Sequence, residues 1–517
     1  MNLRLALIIS LIAGFVSISM EIVWFSILGI VFKGHAFTFG AVLSLILFGI
    51  AFGAKYGYRS IKNPDTNVLQ LISKYLLYAA IINFLGFPVI AWLMTIHSAF
   101  GALLAVNVVT VSGLLGCIFP LLCHIAVTTD EQKVGKQTSL LYAANIIGAT
   151  TGPLITGYVL FDYFSPEAII GGLCIVLLLL AMILRLLSER GKTNYKYAGI
   201  FIAIILGVAI SQKTVYTNYL AKLQYQTIYG DDKIFKHVFH NRSGTIMVDQ
   251  EDRFFGSGAY DGAINTDPWV FNINAIDRAY MIAALHRAPE RVLMIGLSSG
   301  SWAKVISDYP LVKEIIIVEI NPGYLELIKK YPEISPILTD KRIKIIIDDG
   351  RRWLKNNPEA KFDLIVMNTT YYWRQNSTNL YSLEYLNMAE THLNKNGVLY
   401  WNTTKCADEI YTAAHVFNHI VRYGTFVAGS DSPFDLSYEE KAANLILFRR
   451  QGELLFTQDK YKNRYNELLA VPIKDVHDSI LQEDLWLITD NNMAGEYKSD
   501  VWRIFSGLTS SSGSATK

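Results

Sequence analysis

RVLMIGLSSGS, residues 291–301, decides the fold of the larger part of this chain. A run of strand length, Arg291 followed by the four apolar residues Val292 to Ile295, leads into a turn carrying Gly296, Ser298, Ser299 and Gly300. A helix is expected to follow. A second apolar run, EIIIVE at 314–319, ends in an acid about twenty residues after the glycines, the spacing of a βαβ nucleotide unit. Glycines let the backbone approach a ligand, and the acid can accept two ribose hydroxyls. A third run, Ile343–Ile347, leads into Asp348, Asp349 and Gly350. A fourth, Phe362–Met367, ends at Asn368. Ligands of a parallel sheet sit at the carboxyl ends of its strands. Gly296, Glu319, Asp349 and Asn368 are therefore expected to line one crevice.

Before this unit the pattern is different. Residues 244–249 and 253–262 alternate like strands, and Asp261-Gly262 reads as a turn between them. A helix is expected over Ala275–His286. The reading is a β-rich lead-in over 213–270, an α/β Rossmann-like domain over 271–508, and a small, polar, disordered tail over 509–517.

The first part, 1–212, is apolar. Mean hydropathy over the chain is +0.29, and only 17% of residues are charged. That combination points to membrane spans. Seven are expected, at Leu3–Phe32, Ala36–Tyr58, Val68–Ile96, Ala99–Val127, Ser139–Phe161, Ala168–Leu187 and Tyr197–Ser211. The last is short, about 22 Å of helix against roughly 30 Å of hydrocarbon. The first is too long for a signal peptide, carries Glu21, and is expected to be retained. A carboxylate in hydrocarbon needs a partner or a wet cavity, so Glu21 marks a polar site. Asn145 sits among small residues, with Gly148, Gly152 and Gly157, a pattern that suits close helix packing and an interhelical hydrogen bond.

A net charge of +2 with no basic arm gives no case for nucleic acid. The four cysteines form no C-x-x-C pair and read as inert thiols. His415 and His419, four apart on an expected helix, lack a third ligand, so no metal is expected.

These residues resemble the spermidine (polyamine) synthase family in its membrane-fused branch. The resemblance covers about Asp232 to Thr404. It rests on the 296–301 turn, Val318-Glu319, Asp349-Gly350-Arg351, Asp363 to Val366, and the stretch Leu380 to Tyr385. Residues 22–24 after Glu21, and Tyr142, Asn145 and Gly148, look like the fused membrane region. The resemblance implies a methyltransferase-like Rossmann domain behind a small N-terminal β-region. It also implies a groove for decarboxylated S-adenosylmethionine or a related adenosyl thioether. Glu319 would hold the ribose and Asp349 the adenine end, with Gly296, Ser298, Ser299, Gly300 and Gly350 beside them.

Three departures matter. Where the family's glycine turn carries an amine-gripping aspartate, this chain has Ser299. Where the catalytic loop opens with an aspartate, it has Asn368, and a second acid is replaced by Tyr371. A diamine is a dication and must lose a proton before it attacks. Asn cannot take that proton. The expected catalytic set is Asn368, Tyr371, Arg374 and Tyr381, with Thr369, Thr370, Tyr372, Trp373 and Asn402–Thr404 around the crevice. Such a set suits a neutral or anionic substrate, a glycan or lipid headgroup, and Arg374 favours an anion.

The expected protein is thus a polytopic α-helical membrane protein bearing a diverged synthase-like transferase. Alternatives are an inactive ligand-binding or regulatory protein, a transporter with a sensing domain, and a true aminopropyltransferase if the domain is cytoplasmic. Lys55, Arg59, Lys62, Lys74, Lys133, Lys136, Arg185, Arg190, Lys192 and Lys196 flank the even connections. Positive residues mark the cytoplasmic side. Seven crossings of a bacterial inner membrane would then leave the Rossmann-like domain outside.

Overall fold

The computed structural model describes residues 3–62, 66–128, 130–188, 193–269, 274–368 and 371–497. Thr369, Thr370, Arg190, Lys192 and the tail 509–517 lie outside the described residues.

Seven helical segments of 21 to 32 residues are long and apolar enough to cross a membrane. They comprise α1 (Leu3–Val31), α2 (Phe37–Ser60), α3 (Val68–Ile96), α4 with α5 (Ala102–Gly116, Ile118–Ala126), α6 with α7 (Glu131–Ile155, Phe161–Tyr163), α8 (Pro166–Ser188) and α9 (Thr193–Val215). The fourth breaks at Cys117 instead of running through. Pro120 lacks an N–H and crowds the carbonyl four residues earlier, which ends α4 at Gly116. The fifth begins at Glu131 rather than Ser139, because Asp130 caps it by accepting from the Gln132 N–H at 3.1 Å. A π-helical turn at Thr156–Leu160 joins α6 to α7.

The last segment is not short. Its apolar span covers Tyr195–Val215, 21 residues, or about 31 Å of helix. The polar Gln212 near the end of this span is satisfied across to α8: its Nε2 donates to the Glu167 carbonyl at 2.8 Å. The region expected to open the β-rich lead-in at Lys213 is instead the end of α9, followed by α10 (Tyr219–Tyr225). The Tyr216 hydroxyl between them donates to the Phe84 carbonyl of α3 at 2.9 Å.

α1 and α6 cross at backbone contact. A Cβ on Gly148 would lie 1.9 Å from the Leu11 carbonyl oxygen, so only glycine fits. Asn145 Nδ2 donates to the Ser10 carbonyl at 3.1 Å, and Ser10 Oγ donates to the Leu141 carbonyl at 2.9 Å. Glu21 is half-buried about 16 Å further along α1. The two expected membrane polar residues are therefore not brought together.

β1 (Phe235–Asn241), β2 (Gly244–Asp249), β3 (Arg253–Gly256) and β4 (Ala259–Ala263) form a four-stranded antiparallel sheet in chain order. Next come β5 (Arg291–Ile295), β6 (Glu314–Glu319), β7 (Ile343–Ile347), β8 (Phe362–Met367), β9 (Leu393–Asn402), β10 (His419–Tyr423) and β11 (Phe426–Ser430). They form one sheet of order β10-β11-β9-β8-β5-β6-β7. β5 to β9 are parallel, and β10 and β11 are an antiparallel edge hairpin. This is a methyltransferase-like Rossmann sheet with a mixed edge. Apolar side chains bury on both of its faces, Val292 and Ile317 toward one, Leu293 and Ile365 toward the other.

Three local expectations change. Ala275–His286 is two short helices, Asp277–Tyr280 and Ile282–Leu285. His419 opens β10 and bonds Asp475, whereas His415 lies in the turn before it, so they share no helix face. Asp261-Gly262 is not a turn. It lies inside β4, where a bulge against β3 interrupts the register.

Candidate functional site

Two clefts open at the carboxyl ends of β5, β6 and β8 and meet at Asp261, Ser298 and Asn368. The first encloses about 380 Å³ and the second about 610 Å³.

The first is built on the end of β6. Glu319 accepts from the Leu297 N–H at 2.7 Å and from the Asn321 N–H at 2.8 Å, one bond to each oxygen. Burial pushes its carboxyl up to about 6, opposed by the backbone N–H groups of Asn321, Leu297 and Ser298. Each oxygen keeps a lone pair for a ligand hydroxyl. Asp349 caps the helix Gly350–Asn356, its Oδ1 accepting from the Arg352 N–H at 2.8 Å. Gly296, Ser298, Asp349, Gly350 and Asn368 join Glu319 in this lining. Gly300 does not; it sits at the start of the helix Ser301–Ser307, outside both linings.

The second cleft lies toward β4 and β9. Tyr260, Arg278, Ser299, Tyr371, Trp373 and Lys405 shape it. Ser299 Oγ donates to the Ala263 carbonyl at 2.8 Å, so this hydroxyl fastens the glycine turn to β4. Tyr371 stacks on Trp373 with ring centroids 5.0 Å apart. Burial, with the nearby Asp261 charge, raises its phenol above the ordinary tyrosine value. It can donate a hydrogen bond but does not act as a base near neutral pH. Arg278 is braced by Thr425 Oγ1 at 2.8 Å and the Asn274 carbonyl at 3.1 Å. Thr404 and Lys405 at the rim have positive φ, 47° and 74°. Two successive non-glycine residues in that region store backbone strain, a feature that clusters at functional sites.

Among the described lining residues of the second cleft, Asp261 is the one carboxylate. Both of its oxygens are already engaged. Arg374 Nη1 meets its Oδ1 at 2.9 Å, and the Tyr324 hydroxyl donates to its Oδ2 at 2.5 Å. Arg374 is therefore engaged by an internal acid, contrary to the expectation that it would recognise an anionic ligand. Tyr381 is also displaced from its expected role. It is buried in the sheet core with its hydroxyl 3.4 Å from the Asn402 carbonyl, outside both linings.

The four residues expected to share one crevice, Gly296, Glu319, Asp349 and Asn368, do line the first cleft. Sequence reasoning missed Asp261, Tyr260, Arg278 and Lys405. Asp261 carried a signal, an acid closing a strand-like run, but Asp-Gly read more simply as a turn.

The spermine/spermidine synthase domain family matches residues 279–428. Polyamine aminopropyltransferase 2 of Streptomyces coelicolor is 23% identical over 304 residues, 55% of this chain and 52% of that protein. The polyamine aminopropyltransferase of Agathobacter rectalis is 29% identical over 146 residues, 27% of this chain and 50% of its own length. That of Thermoplasma acidophilum is 39% identical over 85 residues, 16% of this chain and 30% of its own. The chain thus spans about half, or less, of these relatives. A solved spermidine synthase in complex with the transition-state analogue AdoDATO has 18% identity and a TM-score of 0.34, covering 44% of this chain and 81% of that one. The C-terminal part of this chain is a spermine/spermidine synthase domain, carried behind an N-terminal region of seven long apolar helices.

Proposed function

We propose that this is an integral protein of a bacterial inner membrane whose synthase domain is a diverged transferase. The first cleft holds decarboxylated S-adenosylmethionine or a related adenosyl thioether, with Glu319 on the ribose and Asp349 at the adenine end. The second takes a neutral or anionic polar acceptor, a glycan or lipid headgroup, in place of a diamine. One observation carries the reading: the single acid among the described residues of the second cleft is already paired with Arg374. A dication entering there meets Arg278 and Lys405 and no open carboxylate. Transfer would form a bond from the acceptor to the propyl carbon and break that carbon's bond to sulfur, a neutral hydroxyl acceptor releasing its proton to solvent. The sulfur keeps the electron pair and leaves as the neutral thioether. An acceptor that is already anionic needs no general base, which fits a site with Asn368 and a neutral Tyr371.

The test is calorimetry on the full-length protein in lipid nanodiscs with methylthioadenosine, followed by turnover with decarboxylated S-adenosylmethionine and putrescine. The nucleoside is expected to bind and spermidine not to form. Absence of nucleoside binding sinks the reading, as does putrescine turnover on the order of 1 s⁻¹, an ordinary enzyme rate.

A second reading, ligand binding without turnover, draws support from the arrangement of the helices. The α1–α2 connection and Asp162 of α7 both bond the domain that follows α9. The lysines and arginines concentrate at the other connections. With positive residues inside, the domain would lie outside the membrane, away from the cytoplasmic source of S-adenosylmethionine. Reporter fusions after Lys192 and after Lys222 decide this: opposite sides support seven crossings, and the same side returns the domain to the cytoplasm.

A further inference from the structure

The wall of the second cleft is braced from outside the synthase domain. The turn between α1 and α2 pairs with the loop that follows β8. The Ala36 N–H donates to the Trp373 carbonyl at 3.2 Å, and the Gln375 N–H donates to the Gly34 carbonyl at 3.0 Å. These two bonds frame an antiparallel bridge between His35 and Arg374. The His35 ring lies flat on Trp373, centroids 5.2 Å apart and planes 12° from parallel, and Trp373 lies on Tyr371 in the same way. A three-ring stack thus runs from the helical region into the wall of the cleft.

Gly34 has φ +72°, and a Cβ there would sit 3.1 Å from Arg374 Nε. Any larger residue would strain the turn and press on the guanidinium. Downstream, Glu496 accepts from the Asn376 and Thr378 N–H groups at 3.0 and 2.9 Å. The loop that carries Arg374 is therefore held by the turn at Gln375 and by Glu496 at Asn376 and Thr378. Its Nη2 also donates to the Gly256 carbonyl at 3.1 Å. Both members of its ion pair are largely shielded, with side-chain exposures of 17% for Arg374 and 13% for Asp261. Removing one member of a shielded ion pair leaves the other charge uncompensated, which is costly. Remove Arg374, and Asp261 keeps the Tyr324 hydroxyl but loses its ion pair; Arg278 and Lys405 stay elsewhere in the lining, and a cation entering the cleft can take the place of the guanidinium.

We propose that the Gly34–Ala36 turn is a specificity-determining part of the acceptor cleft: by holding Arg374 on Asp261 it keeps the cleft's acid from binding a cationic substrate. The proposal deepens the reading above and rests on its assignment of the second cleft to the acceptor. His35 and Gly34 act here as positioning residues, through Arg374 and Trp373, without touching the acceptor.

The experiment uses the full-length protein in nanodiscs and putrescine as the cationic probe, with 1,4-butanediol as its uncharged counterpart. Wild type is expected to bind neither at millimolar concentration. Arg374→Gln should gain putrescine affinity at least tenfold with no gain for the diol. Arg374→Gln with Asp261→Asn should lose that gain. Gly34→Val and His35→Ala should each gain a smaller part of it, about threefold, and His35→Tyr, which keeps a ring over Trp373, should not. A wild type that binds putrescine tightly, or a cooperatively melting Arg374→Gln that gains nothing, overturns the proposal. A gain in Arg374→Gln with none in Gly34→Val or His35→Ala removes the turn from it. If Gly34→Val does not melt cooperatively, Gly34→Ala supplies the same comparison with a smaller intrusion. Methylthioadenosine titrated into wild type reports on the first cleft separately, so failure of the nucleoside reading and failure of this one are distinguishable.

Discussion

The two clefts share three residues and little else. In the first, the acid at the end of β6 is held by backbone N–H groups, which fix its position without neutralising it. At the junction, the acid of β4, which lines both clefts, is held by the guanidinium of Arg374 from the first lining, which fixes its position and pairs its charge. Backbone donors leave a carboxylate's charge unpaired; a salt bridge pairs it. One half of the crevice thus presents an acid with an unpaired charge. The other presents aromatic rings and cations.

The largest expected effect comes from removing the acid with the unpaired charge. Two ribose hydroxyls donating to a carboxylate contribute about 1.5–3 kcal/mol each. Glu319→Ala should weaken methylthioadenosine at least about 100-fold in calorimetry. It should leave the ring stack of the second cleft untouched. A loss under about tenfold would mean that the two clefts do not differ in the way described.

A smaller effect follows from pH. Burial raises the Glu319 carboxyl to about 6. Its ionised form, which accepts both hydroxyls, therefore grows as pH rises through about 6. Nucleoside affinity should fall about tenfold from pH 7 to pH 5, and the slope should flatten in Glu319→Gln. The same shift has the opposite sign for the ligand-free fold. A carboxyl whose folded value is raised contributes stability below its ordinary range and loses it as pH rises through about 6, by about 2 kcal/mol at most. Ligand-free protein should then melt higher at pH 5 than at pH 7 on this group's account, while the nucleoside stabilises more at pH 7. An affinity independent of pH between 5 and 7 would remove Glu319 from the ribose.

The contrast also explains what could be read from sequence. The first cleft is local: each of its acids and glycines ends an apolar run, and strand ends converge in a parallel sheet. Seven apolar segments were legible for the same reason, since length and composition alone identify them. The second cleft depends on partners far apart in the chain. Asp261 and Arg374 meet across β4 and the loop after β8, and His35 reaches that loop from the other half of the molecule. No spacing announces such pairs. Tyr381 shows the opposite failure, because a family motif placed it at the site while its neighbours Leu380 and Asn379 line the cleft and its own ring turns into the core. The full length of α9 was hidden by its polar end, where the fold satisfies Gln212 with a hydrogen bond to α8.

The smallest expected effect is the sharpest test of independence. Tyr371→Phe removes one hydroxyl from the second cleft and nothing from the first. Burial keeps the phenol neutral, so no charge is lost. The ring, which stacks on Trp373 at 5.0 Å, remains. At most the variant forfeits about 1 kcal/mol of hydrogen bonding, and the nucleoside feels none of it directly. Methylthioadenosine affinity should stay within about twofold of wild type, because sites that share no partner act additively. Asp261, Ser298 and Asn368 line both clefts, however, and offer a route for coupling. A change of fivefold or more in calorimetry would show that the phenol reaches the nucleoside through them, and the crevice would then act as one site with a continuous wall.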